Sequence, residues 1–306
     1  MTRRYRWILI VAAALIALYG AVTYYFSSQI VAFARPSLIE ARAEYGEAAV
    51  ATRGLPAPID VSIPVTGAAL SAWLFEQPGP ARCGVVLSHG YRSTRYGVLK
   101  YAPLVWKRGC DVLAIDARYH GDSTGEHATF GVYEKDDLVV VVDWLAGRLE
   151  VPRARIGLFG ESMGGAISLQ AATLIPDLGF VAADSSFSDL RTILARQGES
   201  RYGAMIDIFL PVAMTVAGWR AGADLADAAP VRHAARIRAP VLLVHSRDDD
   251  FTPWTHSQAI FDAIPHDRKE LHAVDWDAAH GACIEVRYDE YERLFHAFLD
   301  RHTSGF

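Results

Sequence analysis

The chain has 306 residues, of which 51% are hydrophobic and 21% charged, and it carries a formal net charge of −5. This composition excludes a disordered chain, a collagen-like repeat and a protein with many membrane spans. A net acidic chain offers no basic stripe for phosphate groups, so no nucleic-acid partner is predicted.

The cysteines are few and far apart. Cys83, Cys110 and Cys283 are odd in number, and no Cys-x-x-Cys or Cys/His ligand spacing occurs. We therefore expect neither a structural zinc site nor a disulfide framework, and no metal is predicted.

The first apolar run, residues 7–26, contains no charge. Twenty helical residues extend about 30 Å, which is the thickness of a bilayer's hydrocarbon core. Trp7 stands at one end and Tyr24 and Tyr25 near the other, where aromatic side chains favour the membrane interface. The run predicts a transmembrane signal-anchor helix.

The charges flanking this run predict its orientation. Arg3, Arg4 and Arg6 precede it, so residues 1–6 are expected to stay cytoplasmic and the rest to be extracytoplasmic, or periplasmic in a bacterium. A cleaved signal peptide is the alternative, with Ala32-Phe33-Ala34 as an A-x-A site. The prediction is therefore a single-pass membrane protein, with a secreted protein that has lost this segment as the alternative.

Residues 27–58 are predicted to be a connector, and residues 59–306 a single catalytic domain. Two extended runs at 59–65 and 69–75, split by Thr66-Gly67, predict a hairpin. Short apolar runs then alternate with helical patterns. The predicted strands are 83–88, 110–115, 156–159, 180–183, 241–244 and 270–274, and the predicted helices are 98–108, 134–149, 163–175, 257–264 and 285–300. The alternation predicts an α/β fold with a mostly parallel sheet and helices on both faces.

A long interval separates two of these strands. Residues 205–214 within it are strongly apolar, which does not suit a solvated loop. We expect a small helical cap at about residues 188–238, or alternatively one long helix packed beside the sheet.

One motif carries the chemistry. Gly160-Glu161-Ser162-Met163-Gly164-Gly165 contains G-x-S-x-G, follows an apolar strand and opens a helix. This is the setting of a nucleophile elbow, in which the glycines give the serine room for a sharp turn. Ser162 is therefore the predicted nucleophile, and the Met163 N–H at the helix start is a predicted oxyanion donor.

With two further motifs, the chain resembles the α/β-hydrolase superfamily, and most closely its bacterial serine-esterase and serine-aminopeptidase-like branch. The shared features are the elbow, Ser88-His89-Gly90-Tyr91 after the third strand, and the loop from Asp116 to Ser123. The likeness covers the chain from about Ile59 to its end. It implies the fold, a Ser-His-Asp triad and no cofactor, and it leaves the substrate open.

The resemblance also implies the order serine, acid, histidine along the chain. His280 lies between the last strand and the last helix, where a loop can bring an imidazole over the elbow. His272 and His296 fall inside a strand and a helix, and we expect them to be structural. His280 is therefore the predicted base.

The acid is implied by the branch's pattern H-G-x-x-D-x-x-V-P. Counted from His245, it places the acid at Asp249 and the proline at Pro253, although Ser246 replaces the glycine and Thr252 the valine. That glycine's replacement leaves the adjacent aspartates Asp248 and Asp250 open as alternatives. Asp184, after the preceding strand, is a further alternative.

Several further residues are candidates for supporting groups around the predicted triad. Gly90 permits close approach of the loop after the third strand, so the Tyr91 N–H is the predicted second oxyanion donor; a plain strand-to-helix turn is the alternative. Asp116 and Arg118 are expected to pair and brace their loop. Glu161 is expected to make a structural hydrogen bond, or else to bind a cationic substrate group.

The predicted function is a membrane-anchored serine hydrolase that cleaves carboxylic esters or thioesters through an acyl-enzyme, acting on a small-molecule ester or acyl substrate. An acylaminoacyl or proline-type serine peptidase, and a non-catalytic binding module, are the alternatives. The oligomeric state stays open.

Overall fold

The computed structural model describes residues 3–46 and 48–306. Residues 1–2 of the predicted cytoplasmic segment lie outside the described residues. The strands are β1 Ile59–Val65, β2 Ala68–Phe75, β3 Cys83–Ser88, β4 Cys110–Ile115, β5 Ile156–Glu161, β6 Phe180–Asp184, β7 Val241–Ser246 and β8 Lys269–Val274. The α-helices are α1 Arg3–Val31, α2 Leu38–Tyr45, α3 Arg95–Val98, α4 Ala102–Trp106, α5 Glu134–Leu149, α6 Met163–Ala172, α7 Leu190–Tyr202, α8 Ile206–Ala221, α9 Pro230–His233, α10 Thr255–Ala263, α11 Cys283–Val286 and α12 Tyr288–His302.

The eight strands form one sheet in the order β1-β2-β4-β3-β5-β6-β7-β8. The β1–β2 and β2–β4 pairs are antiparallel, and all later pairs are parallel. Helices α5 and α6 pack on one face of the sheet, and α4 and α12 on the other. The predicted hairpin and the mostly parallel sheet are confirmed.

The predicted helix at 98–108 is instead three short pieces: α3, a 3₁₀ turn and α4. Pro103 falls in the first turn of α4, where a missing N–H costs nothing. The helical apolar spacing was real, but a single continuous helix was wrong.

A disulfide joins Cys83 and Cys110, which contradicts the expectation from the cysteine count. The two residues are direct register partners at the starts of the parallel strands β3 and β4, with Cα atoms 4.5 Å apart. Sequence spacing does not reveal this pairing, because the strand register creates it. Cys283 is free and buried.

The expected Asp116–Arg118 pair is also wrong. Asp116 accepts from the buried Arg95, with Nη2 and Oδ2 2.7 Å apart, and Arg118 pairs with Asp137 at 2.6 Å. Each residue finds its partner on another element, Arg95 in α3 and Asp137 in α5, and sequence spacing does not reveal that placement. Both pairs still brace the loop after β4.

Helix α1 is longer than the predicted span, and its last part belongs to the domain core. Ile30 and Val31 at its end, and Phe33 after it, are buried. Its N-terminal half is exposed and apolar. By length and composition, α1 and the segment Leu190–Ala221 are the two helical stretches of the described chain that are suited to crossing a membrane.

The interval at residues 188–238 contains α7 and α8, joined by a short 3₁₀ turn at Gly203–Met205. Gly203 has φ +68°, and a Cβ on Gly198 would lie 2.5 Å from Ile206, so the two helices turn sharply and pack closely. Helix α8 also packs along α1. We refer to α7, this 3₁₀ turn and α8 together as the cap.

Candidate active site

Ser162 occupies the turn between β5 and α6, with φ +52° and ψ −114°. A residue with a side chain seldom adopts such a φ, and strain of this kind is typical of functional turns. The turn has no room for side chains at its glycines. A Cβ on Gly160 would lie 2.2 Å from the Gly164 carbonyl carbon, and a Cβ on Gly164 would lie 2.0 Å from the Ser88 oxygen.

Ser162, His280 and Asp249 form a hydrogen-bonded series. The His280 Nε2 lies 2.9 Å from the Ser162 Oγ, and the His280 Nδ1 lies 2.7 Å from the Asp249 Oδ2. The carboxylate accepts from Nδ1–H, which leaves Nε2 as the acceptor for the serine hydroxyl. In this arrangement the imidazole can take the proton of the serine as its oxygen attacks a carbonyl.

Asp249 is held ionised. Burial raises the pKa of its carboxyl, but hydrogen bonds from His245 and His280 and from the Thr252 N–H outweigh burial and leave the pKa well below its usual range. Ser246, whose replacement of glycine had left the register open, adopts no left-handed φ, and its Oγ accepts from the Asp248 N–H at 3.1 Å.

The alternative acids lie elsewhere. Asp184 accepts from the Tyr101 hydroxyl at 3.1 Å and the Ser185 hydroxyl at 2.8 Å. Asp248 accepts from the Asp277 N–H at 3.2 Å. Asp250 is exposed, and its carbonyl accepts from Arg196. Among the described residues, Asp249 is the aspartate that contacts His280.

The two predicted oxyanion donors flank the serine. Met163 is the first residue of α6, so its N–H has no partner within the helix. A Cβ on Gly90 would lie 3.5 Å from the Ser162 Cβ, so the loop carrying Tyr91 approaches the nucleophile closely. Both Tyr91 and Met163 line the cavity that contains Ser162.

His89 supports this loop. Its Nδ1 contacts the Gly90 carbonyl at 2.7 Å, and its Nε2 accepts from the Ala117 N–H at 3.0 Å. The ring is fully buried, and burial lowers the pKa of His89 to about 4. His89 is therefore neutral at pH 7 and fixes the loop by two hydrogen bonds.

Glu161, immediately before the nucleophile, is paired within the protein. The Lys100 Nζ lies 2.7 Å from its carboxylate, and the Tyr101 hydroxyl lies 3.0 Å away. Burial raises the pKa of Glu161 and Lys100 lowers it, and burial is the larger effect, so the pKa lies above its usual value. The sequence contains no spacing that predicts the Lys100–Glu161 pair, because the two residues belong to different elements.

The cavity over Ser162 has a volume of about 490 Å³. Its walls combine the Tyr91 loop, α7, α8 and the end of α1, and they are mainly apolar: Phe26, Ile30, Phe130, Phe187, Leu190, Ile193, Leu194, Ile206, Leu210 and Phe251. The contribution of α1 was not foreseen. The Arg92 guanidinium donates to the Gln29 side chain at 2.7 Å, which ties α1 to the Tyr91 loop.

Comparisons with known proteins agree with this fold. A family model for the alpha/beta hydrolase fold matches residues 85–205. The chain is 30% identical over 218 residues to YqkD of Bacillus subtilis, across 71% of this chain and 70% of that protein. It is 27% identical over 273 residues to Rv2307c of Mycobacterium tuberculosis, across 87% of this chain and 86% of that protein.

Solved structures resemble it as well. The Pyrococcus furiosus esterase Pf2001 superposes with a TM-score of 0.68 at 25% identity, covering 83% of this chain and 94% of its own. An acylaminoacyl peptidase of Pyrococcus horikoshii, at 19% identity and a TM-score of 0.64, covers 85% of this chain and 44% of its own, and shares the fold. Sheet, elbow, family model and relatives together show that this chain belongs to the α/β-hydrolase superfamily.

Proposed function

We propose that the protein is a membrane-anchored serine hydrolase that cleaves carboxylic ester or thioester bonds through an acyl-enzyme. The observation that carries this proposal is the series Ser162–His280–Asp249, with distances of 2.9 Å and 2.7 Å, at the wall of an apolar cavity. A hydroxyl, an imidazole and a carboxylate in this order are what acyl transfer by serine requires.

The reaction follows from this geometry. The Ser162 Oγ bonds to the substrate carbonyl carbon while its proton passes to the His280 Nε2, and the carbonyl π electrons move onto the oxygen. That oxyanion accepts from the Tyr91 and Met163 N–H groups. When the intermediate collapses, the bond to the leaving alcohol or thiol breaks, and the leaving group takes the proton from His280.

Water then resolves the acyl-enzyme. It loses a proton to His280 as its oxygen bonds to the acyl carbon, and the carboxylic acid departs when Ser162 recovers that proton. Throughout, the Asp249 carboxylate holds the imidazole tautomer and stabilises the imidazolium. No cofactor enters this sequence.

The chemistry around Glu161 favours an ester substrate over a peptide with a free amino end. A peptidase that recognises an amino terminus needs an available carboxylate, but Glu161 is already neutralised by Lys100 at 2.7 Å. The apolar cavity suits an acyl group instead. A peptidase is the alternative function, because the Pyrococcus horikoshii acylaminoacyl peptidase shares this fold.

The membrane assignment rests on α1 and on the disulfide. Helix α1 is long and apolar enough to cross a bilayer, and Arg3, Arg4 and Arg6 favour a cytoplasmic N-terminus. A disulfide between Cys83 and Cys110 suits an oxidising compartment outside the cytoplasm. A retained anchor fits better than cleavage, because Phe26, Gln29 and Ile30 form part of the cavity wall.

The test combines labelling and turnover. Full-length protein should react with a fluorophosphonate probe and hydrolyse p-nitrophenyl esters, while Ser162→Ala should do neither. Loss of the nucleophile costs on the order of 10⁴–10⁶ in kcat. Ser200→Ala is the matched control. Ser200 lines the same cavity, and this variant should keep its labelling and activity. Equal labelling of Ser162→Ala and wild type would overturn the assignment.

A further inference from the structure

A second cavity, of about 500 Å³, lies between α1 and the cap, and we call it the lateral groove. Its lining residues are all apolar or aromatic: Leu15, Leu18, Tyr19, Val22 and Phe26 from α1, and Tyr202, Met205, Ile206 and Phe209 from the cap. Phe26, Tyr202 and Ile206 line the active-site cavity too, so the two cavities share a wall. We propose that the acyl chain of a membrane lipid enters the active site from the bilayer through the lateral groove.

This inference rests on the proposed function and names its substrate class. The α1 side of the lateral groove falls within residues 7–26, the apolar run long enough to span the membrane. Leu15 is about 16 Å along the helix from Phe26, or half the thickness of the hydrocarbon core. The lateral groove therefore faces the lipid tails of the leaflet on the catalytic side.

The contacts between α1 and α8 fix the cap beside this part of the membrane helix. The Tyr19 hydroxyl donates to the Ile208 carbonyl at 2.8 Å, and the Tyr19 ring stacks on Phe209 at 5.2 Å. Two turns later, the Ser27 hydroxyl accepts from Arg220 at 2.7 Å. The two helices thus run in the same direction, and the start of α8 is the end nearest the membrane.

The cap tip, defined as Arg201, Tyr202, Met205, Asp207 and Ile208, has the composition of an interfacial segment. Met205 and Ile208 are 65% and 61% exposed, an unfavourable state in water. Arg201 and Asp207 are exposed beside them, and polar residues of this kind face lipid headgroups. Tyr19 lies about 10 Å along α1 from Phe26, close to the depth at which amphipathic helices lie in a bilayer.

Apolar side chains line the path from the lateral groove to the active-site cavity. From the lateral groove, a chain passes the shared wall at Phe26, Tyr202 and Ile206 and continues along Leu190, Ile193 and Leu210 toward Ser162. The Phe26 ring contacts Tyr202 at 5.1 Å and Phe209 at 5.9 Å, so this side chain sits at the junction. Among the described residues, the lining of the lateral groove carries no charged side chain, which suits a hydrocarbon chain better than a charged occupant.

The test uses full-length protein in phosphatidylcholine vesicles that also contain 4-methylumbelliferyl palmitate, with water-soluble p-nitrophenyl acetate as the second substrate. Val22→Trp fills the lateral groove but does not touch the active-site cavity. It should lower palmitoyl ester hydrolysis at least tenfold and leave acetate hydrolysis unchanged. Ile16→Trp, on an exposed position of the same helix outside both cavities, should change neither rate.

A second variant acts from the other wall and guards against misfolding of the first. Met205→Glu places a charge in the lateral groove at an exposed position, and it should again lower only palmitoyl ester hydrolysis. Ile39→Glu, at an exposed site on α2, is its control. If both groove variants keep the wild-type ratio of palmitoyl to acetate rates, the proposed path is wrong.

The source of the chain is tested separately. Palmitoyl ester in the same vesicles as the protein should be hydrolysed much faster than the same ester in separate vesicles. Equal rates would show capture through water and overturn entry from the bilayer. If acetate hydrolysis and fluorophosphonate labelling are themselves absent, the proposed function fails, which is distinct from failure of the lateral groove alone.

Discussion

Lys100 and Glu161 form a 2.7 Å ion pair one residue before the nucleophile. The same ammonium donates to the Gly281 carbonyl at 2.6 Å, one residue after His280. A single side chain therefore ties the segment that carries Ser162 to the loop that carries His280, and its hydrogen bonds position both.

Lys100→Met should destabilise the protein markedly. It leaves the Glu161 carboxylate largely buried without its cation, and breaking a buried pair in this way costs about 3–5 kcal/mol. The free energy of unfolding in urea measures the loss. Lys107→Met is the control, because its 2.6 Å pair with Glu292 lies at the surface and is worth at most about 1 kcal/mol. Similar losses in both variants would contradict a structural role for Lys100.

Asp249→Asn should lower kcat for p-nitrophenyl esters by about 10⁴, since an amide cannot hold the imidazole in the required tautomer. Asp248→Asn should leave kcat within a few-fold of wild type, because Asp248 is exposed and its carboxylate accepts from the Asp277 N–H, while His280 is bonded to Asp249. Steady-state kinetics of the two variants decides the matter. A larger loss in Asp184→Asn than in Asp249→Asn would move the acid to β6.

Gly160→Ala should abolish esterase activity and lower stability by several kcal/mol, since its Cβ would lie 2.2 Å from the backbone of Gly164. Gly147→Ala is the opposite case. It lies inside α5 with nothing within 4 Å of the added methyl group, so stability should rise by about 0.5–1 kcal/mol. Thermal unfolding and ester hydrolysis of both variants test the pair. Normal activity in Gly160→Ala would contradict the tight elbow.

The features that the sequence predicted correctly depend on residues close together in the chain, and the features it missed depend on residues far apart. The strands and the elbow were predictable because alternating apolar runs and glycine spacing are local patterns. The base and acid were placed through chain order and a family register, and the structure brings His280 and Asp249 together with Ser162. The Cys83–Cys110 bond and the Arg95–Asp116 pair were missed, because each depends on which strand or loop lies beside which.

The boundary between the predicted anchor helix and the catalytic domain was the feature that the sequence revealed least. Every predicted catalytic residue lies beyond Gly84, which suggested a domain separable from its helix. The structure instead buries Ile30, Val31 and Phe33 and uses Phe26 as a cavity wall. Hydropathy reports that a helix is apolar, but not which of its sides contacts protein. A chain starting at Ser37 should therefore lose stability and long-chain ester hydrolysis.

The free energy of unfolding should decrease as the pH is lowered, and His120 should contribute to that decrease. Burial, then repulsion from His89, lowers the pKa of His120 to about 3, against about 6.5 in the unfolded chain. The unfolded state binds the extra proton, so this contribution is complete above about pH 6.5 and is lost as pH falls toward 3. Asp137, whose pKa burial raises to about 6, acts in the opposite direction between about pH 4 and 6.

His120→Phe removes the side chain that binds a proton on unfolding. Between about pH 4 and 6, the free energy of unfolding of wild type should fall more steeply than that of the variant, by about 1.4 kcal/mol per pH unit. Urea titrations at several pH values measure the two slopes, and the absolute stability of the variant does not affect the comparison. Parallel slopes would show that His120 takes up no proton on unfolding.

The Cys83–Cys110 disulfide links compartment to stability. It closes a segment of sequence separation 27, for which chain entropy predicts a stabilisation of about 3–4 kcal/mol. The double variant Cys83→Ala/Cys110→Ala should lose about that much free energy of unfolding, while Cys283→Ala should leave the disulfide intact.

Full-length protein made in a bacterium, unfolded and treated with a thiol reagent, should react at one cysteine before reduction and at three after it. Three reactive thiols before reduction would mean that the domain had stayed in the reducing cytoplasm, and would overturn the proposed orientation of α1 while leaving the hydrolase assignment in place.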